Sequence, residues 1–181
     1  MSSSLLANYA ALVTRVDQLC RTVTDRFAGA IACQAGCDRC CRHLTLFPVE
    51  AYALLVAARE LSPPDQARLR QRLKGPAITD CPLLFDRRCL LYVTRPIICR
   101  THGLPLLINI DGGRRVDYCP DNFQGLASLP GDAVIDLDRL NEALAAINAL
   151  FVAAARQPPF DSGRLSMAEV LRRALRNEPS P

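Results

Sequence analysis

The sequence has no apolar run near the ~18 residues needed to cross a bilayer. Its longest candidate, Ala143 to Ala155, is broken by Asn148. No membrane span is expected. The start, MSSSLLANYAALVTRVDQLC, has no basic n-region and meets its first charge at Arg15, so no secretory leader is expected either. A strong charge of one sign is also missing. The 22 basic and 18 acidic residues leave +4, too mild to point to a nucleic-acid or membrane partner. Lysine is nearly absent, Lys74 being the single one among those 22 basic residues. Codon bias in a GC-rich genome accounts for such a skew, and arginine also pairs better than lysine with buried anions. There is no internal repeat, low-complexity block or linker long enough to separate domains. No G-x-G-x-x-G marks a dinucleotide site. Strands and helices do not alternate as a barrel of about 200–250 residues requires.

What is present is a packed, cysteine-rich chain. Half of its 181 residues are hydrophobic and 22% are charged, which excludes a disordered chain and predicts a single domain over 1–181. Nine cysteines stand out. In a cytoplasmic protein, the expected location here, thiols stay reduced, and clustered cysteines then point to metal or redox chemistry.

Leu5, Tyr9, Leu12, Val16, Leu19, Val23 and Phe27 recur every three or four residues. They predict an amphipathic helix from Ser4 to Ala28 that ends at Gly29, the N-terminal element over 1–29. Cys20 falls on this stripe and is read as a small core residue, outside the site. Pro48 starts a second helix to Glu60. Ser62-Pro63-Pro64-Asp65 caps a third that ends near Lys74-Gly75. Leu106 to Ile110 and Arg114 to Tyr118 flank Asp111-Gly112-Gly113, a hairpin signal. Two C-terminal helices are expected within 138–176, one over Asp138 to Arg156 and one opened by the capping box Ser166-Met167-Ala168-Glu169 and closing near Arg176. The tail Asn177 to Pro181 is expected to fray.

The chemistry lies in the remaining eight thiols. Cys33-x3-Cys37-x2-Cys40-Cys41, if helical, puts its thiols on neighbouring faces. Thiolates are soft ligands that select zinc, copper(I) and iron–sulfur clusters. Four adjacent thiols with no metal would be an oxidation hazard. Cys81-x7-Cys89-x9-Cys99 and then Cys119 bring the total to eight, enough for two tetrathiolate sites or one larger assembly. The adjacent pair Cys40-Cys41 reaches one mononuclear zinc only awkwardly. It suits a multi-iron or multi-zinc centre, or two neighbouring sites sharing the segment.

Arg39, Arg42, Arg87, Arg88, Arg95 and Arg100 all lie within four residues of a cysteine. Guanidinium groups offset the negative charge of a thiolate centre and donate hydrogen bonds to sulfur. Arg95 and Arg100 bracket Cys99 and are the favoured cofactor-binding pair. His43 and His102 also sit near cysteines, and with eight thiols to hand they are read as supporting or surface groups. A Cys–His nucleophilic pair would explain one cysteine and leave seven without a reason.

These residues resemble a known family. Cys33-Gln34-Ala35-Gly36-Cys37-Asp38-Arg39-Cys40-Cys41, Cys81-Pro82-Leu83-Leu84 and Cys89-Leu90-Leu91-Tyr92-Val93-Thr94-Arg95-Pro96-Ile97-Ile98-Cys99-Arg100 are similar to the CxxxCxxCC cysteine-cluster family (YkgJ-like, a zinc- or iron-chelating domain). The likeness spans Cys33 to Cys119, about half of the chain. It implies a bacterial-type, cytoplasmic metal-binding domain with Cys33, Cys37, Cys40, Cys41, Cys81, Cys89, Cys99 and Cys119 as metal ligands. Tyr92, Arg95, Pro96 and Arg100 are further motif residues, and Pro96 fixes the backbone ahead of Cys99. A related motif appears in flagellin lysine methylases, which keeps a modifying enzyme among the alternatives.

The expected fold is mainly α: one irregular helical domain with a small β-hairpin, organised around a cysteine-ligated metal centre with its core at 33–119. The expected function is to hold an iron–sulfur or polynuclear metal centre for redox, electron transfer or metal handling, with a protein partner as a further expectation. Chains below about 70–80 residues need metal staples for lack of core. This one is long enough to bury a core without them. A structural zinc module is the first alternative. A small metal-dependent enzyme is the second, since Cys33-x3-Cys37-x2-Cys40 copies the three-cysteine spacing of radical-SAM enzymes.

Overall fold

The structure, a computed structural model, describes residues 5–75, 80–155 and 163–176. These are mainly helical, as expected. The chain gathers into two compact units, Met1–Ala35 with Ile97–Ala149, and Gly36–Pro96 with Leu150–Pro181. Each unit is thus built from two separated stretches, and the 33–119 span is shared between them.

In the first unit α1 (Ala7–Arg26) packs against the short α4 (Ile97–Thr101). Tyr9, Val16, Cys20 and Val23 of α1 are buried, while Leu19 is 39% exposed. The stripe therefore passes through Cys20 rather than Leu19, and Cys20 has the core position assigned to it. The Cys20 thiol donates to the Arg100 carbonyl at 3.5 Å. Arg100 Nη1 donates to both oxygens of Asp17 at 2.8 and 2.7 Å, tying α4 to α1 a second time. The predicted hairpin is present as β4 (Leu106–Ile110) and β5 (Gly113–Asp117), paired antiparallel from Leu106↔Asp117 to Ile110↔Gly113. Asp111 and Gly112, at φ 51° and 77°, make the two-residue turn whose twist matches the strands. A third strand, β6 (Ile135–Asp136), was not foreseen. It runs parallel to β4 and leads directly into α5 (Leu137–Ala154). Two residues are too few for an alternation signal, which hides β6 in the sequence.

The second unit holds the larger hydrophobic core. α2 (Pro48–Arg59) and α6 (Met167–Ala174) pack together, joined by α3 (Pro63–Leu73). Leu46, Leu54, Leu69, Leu83, Met167, Val170 and Leu171 are nearly or wholly inaccessible. Pro48 occupies the first turn of α2, and the Glu50 carboxylate accepts from the Phe47 N–H at 3.2 Å. Ser62 caps α3 through the Asp65 N–H at 3.3 Å. β1 (Thr45–Leu46) pairs with β7 (Leu165–Ser166), and Ser166 caps α6 through the Glu169 N–H at 3.4 Å, as its sequence predicts. Ser166→Ala should cost the metal-free protein about 1 kcal/mol in a urea titration. Arg156 and the tail from Asn177 lie outside the described residues, as does Ser4.

The Cys33–Cys41 run is not helical: it consists of irregular chain and two turns. Gly36 adopts φ +93°, a conformation foreign to helices that glycine tolerates, and the Cys41 N–H closes a turn on the Asp38 carbonyl at 2.9 Å.

Candidate functional site

All nine cysteines carry thiols. Of the eight candidate ligands, Cys37, Cys40, Cys41, Cys81 and Cys89 belong to the second unit and Cys33, Cys99 and Cys119 to the first.

In the second unit the turn Asp38–Cys41 presents Cys40 at the surface and Cys41 half-buried. Cys81 reaches the same place from the far side of the sequence, through the bridge that pairs Arg42 with Asp80. A tight hairpin then returns the chain. β2 (Leu84–Phe85) and β3 (Arg88–Cys89) pair antiparallel around Asp86 and Arg87, which both take positive φ, and Leu84 stands opposite Cys89. The seven residues between Cys81 and Cys89 are therefore a turn and a hairpin that fold one thiol back beside the other. Cys81 lies inside the hydrophobic core, with Cys41 and Cys89 packed against it.

The electrostatics follow from this placement. Burial pushes the Cys41 thiol up from its ordinary 9.0 to about 11, with Cys40, Cys81, Cys89 and Asp38 adding like-charge repulsion. Burial also raises Cys81. Backbone N–H groups of Leu83 and Leu84 and the Arg72 guanidinium act the other way. Cys89 is raised by burial too, against the Leu91 N–H and Arg95. Four thiols, Cys40, Cys41, Cys81 and Cys89, are thus close enough that ionising one resists ionising the next. The Arg95 charge acts on Cys89, and its guanidinium stacks 4.0 Å over the exposed Tyr92 ring.

In the first unit Gly103 is the meeting point. A Cβ placed there would stand 3.3 Å from the Cys33 sulfur and 3.5 Å from the Cys119 Cβ, so the two cysteines flank one small volume. Cys99 lies on α4 four residues earlier, half-buried. Arg100, expected beside a cofactor, has its charge matched by Asp17.

The histidines do other work. His43 Nε2 accepts from the Ala168 N–H at 3.3 Å and sits 3.2 Å from Ser166 Oγ, so it helps to cap α6 in the second unit. His102 is exposed. Arg42 and Arg87 pair with Asp80 at 3.8 Å and Asp38 at 3.5 Å, exposed bridges of small energetic weight.

Sequence reasoning missed Asn122. It is 1% exposed, and its side chain reaches Cys33 Sγ, the Gly103 carbonyl and the Ala32 N–H. The signal that could have found it is local: an asparagine three residues after a ligand-type cysteine, in a Pro-Asp-Asn turn, is a side chain suited to bonding backbone.

Among the described residues, no group of three or more His, Cys, Asp or Glu stands in metal-holding geometry. No described helix is long and apolar enough to cross a membrane. Neither protein-family models, curated proteins nor solved structures give a match to this chain.

Proposed function

We propose that this protein binds metal through cysteine thiolates, holding an iron–sulfur or polynuclear metal centre for redox, electron transfer or metal handling. The observation that carries the reading is the group Cys40, Cys41, Cys81 and Cys89: four thiols from three segments, coupled in charge and backed by the core of one unit. The chemistry of the donors, though not yet their arrangement, suits such a centre. Soft sulfur ligands, backbone N–H groups aimed at Cys81 and Cys89, and a nearby arginine are the features that stabilise a thiolate centre. When bound, the centre would supply one-electron chemistry or a transferable metal. These residues would hold it, each thiol giving up its proton to ligate. Cys40 is exposed, which leaves one edge of the group open to a partner. The CxxxCxxCC resemblance supports the same ligands and extends them to Cys33, Cys37, Cys99 and Cys119, and cytoplasmic placement fits their reduced state.

Structural zinc is the second reading, favoured by one observation: Cys81 is embedded in the hydrophobic core, where a metal would staple the unit. Anaerobic purification, metal analysis and a visible spectrum separate the two. Broad absorbance with iron and sulfide is the expected result. Zinc without colour transfers the assignment to the structural reading, because a d10 ion is spectroscopically silent. A protein that takes up neither metal when reconstituted sinks both.

A further inference from the structure

Three stretches of the first unit meet at one side chain. Asn122 Oδ1 accepts from the Ala32 N–H at 2.9 Å, immediately before Cys33. Its Nδ2 donates to the Gly103 carbonyl at 2.7 Å and points a second hydrogen at Cys33 Sγ, 3.4 Å away. The Asn122 backbone N–H closes a turn on the Cys119 carbonyl at 2.9 Å, and the Cys119 N–H donates to the Gly103 carbonyl at 3.3 Å. The adjacent Phe123 secures the arrangement. Its N–H reaches the Ala30 carbonyl at 2.6 Å, and its ring packs edge-on against Phe27 and Tyr118 at 5.7 and 5.3 Å. Phe123 takes φ 58°, a costly conformation for an aromatic residue, held by this packing. An amide buried this deeply and used on both ends fixes what it touches.

We infer that Asn122 is the positioning residue of a second thiolate site, where Cys33 and Cys119 bind a soft divalent metal across Gly103 and the Asn122 amide donates to the Cys33 sulfur. The inference rests on the thiolate reading above and adds a residue that reading does not contain. The donor has two effects. It fixes where the Cys33 sulfur stands, because the same side chain holds the backbone on both flanks. It also withdraws electron density from that sulfur once it is a thiolate, which raises the energy needed to move an electron from sulfur to metal.

Cobalt(II) is the probe, because its thiolate complexes absorb where zinc is silent. The full chain, reduced and metal-free, is titrated with cobalt(II) as wild type, N122D, C33S and the double variant. Asn122→Asp keeps the acceptor for the Ala32 N–H and removes the donor to sulfur. Cobalt bound through Cys33 is read as the difference between wild type and C33S. N122D should weaken that binding about tenfold, the low end of the range for groups that orient ligands. It should also move the sulfur-to-cobalt band to longer wavelength. In the C33S background N122D should leave the remaining band where it is. A merely structural role would lower the melting temperature in both backgrounds and move no band. Should N122D fail to fold, N122S removes the same donor without adding charge. Thiolate bands in wild type that ignore N122D, or that shift equally without Cys33, overturn the role of Asn122. Absence of any thiolate band in wild type overturns the metal-binding reading itself, and Asn122 with it.

Discussion

Cys81→Ser in the full chain is expected to lose metal and stability together, whereas Cys20→Ser loses stability alone. Both cysteines are buried, Cys81 within the apolar core of its unit and Cys20 against the α4 backbone. Exchanging a thiol for a hydroxyl at such a place costs about 1–3 kcal/mol, because the hydroxyl is harder to strip of water. The metal-free forms of the two variants should therefore weaken by similar amounts in urea. Their metal contents should diverge. Cys20 bonds the α4 backbone, and its replacement leaves the candidate ligands untouched. Cys81 belongs to the coupled group with Cys41 and Cys89. Zinc bound by small cysteine and histidine peptides is held by about 10–16 kcal/mol, so removing one of four ligands should weaken binding by about two to three orders of magnitude. Cys81→Ala refines the comparison: it stays apolar, so metal should fall as far as in the serine variant while the metal-free fold suffers less. Wild-type metal content in Cys81→Ser would remove Cys81 from the site.

The same group fixes how binding depends on pH. Cys41 keeps its proton to about 11, and Cys81 and Cys89 are also raised above their ordinary value, so all three are neutral thiols at pH 7 in the metal-free protein. Each must release a proton to ligate. Metal uptake should thus acidify a weakly buffered solution by at least three protons per centre in this unit, and affinity should climb steeply between pH 6 and 8. The metal-free fold behaves in the opposite sense. A raised pKa means that folding favours the protonated thiol, so this stabilisation is complete below about 9 and is lost as the pH climbs toward 11. A centre that forms without proton release would show that the ligands are not these thiols.

The long elements and their caps were legible in the sequence because each rests on a local rule. Pro48, Ser62 and Ser166 open helices where first-turn chemistry says they should, and Asp111-Gly112 turns the hairpin. The thiols were legible as residues but not as groups. Cys33 and Cys37 are four apart, yet they belong to different compact units, and the spacing between Cys81 and Cys89 hides a hairpin turned by Asp86-Arg87. Asp86 tolerates positive φ but Arg87 lacks glycine's freedom there, so the local turn signal is weak. Arg95 and Arg100 show the same limit. Both bracket Cys99 in the sequence, and the sequence does not announce that Arg95 also acts on Cys89 and that Arg100 pairs with Asp17. His43, near the cysteines by number, caps a helix more than a hundred residues away. For Asn122 the sequence carries a turn signal after Cys119 but not its three partners, which come from segments that only the folded unit brings together.

Gly103→Ala should be among the most damaging single changes outside the cysteines, and Gly112→Ala shows why. Both glycines have positive φ, +90° and +77°, so both variants carry the backbone cost of a Cβ in that region, about 1–2 kcal/mol. Around Gly112 the new methyl meets open space. Around Gly103 it would stand 3.3 Å from both Asn122 Nδ2 and Cys33 Sγ. Neither neighbour is the loose end of a flexible chain. Asn122 is buried and bonded at both ends of its amide, so making room means breaking its bond to the Gly103 carbonyl or moving the Cys119 turn. Overpacking of this kind costs about a further 1–3 kcal/mol. Chemical denaturation of the metal-free variants should therefore place Gly103→Ala well below Gly112→Ala. Cobalt uptake through Cys33 should fall in the first variant and stay at the wild-type level in the second. Equal losses at the two glycines would mean that the Cys33–Gly103–Cys119 junction yields freely, and a junction that yields cannot hold two sulfurs for a metal.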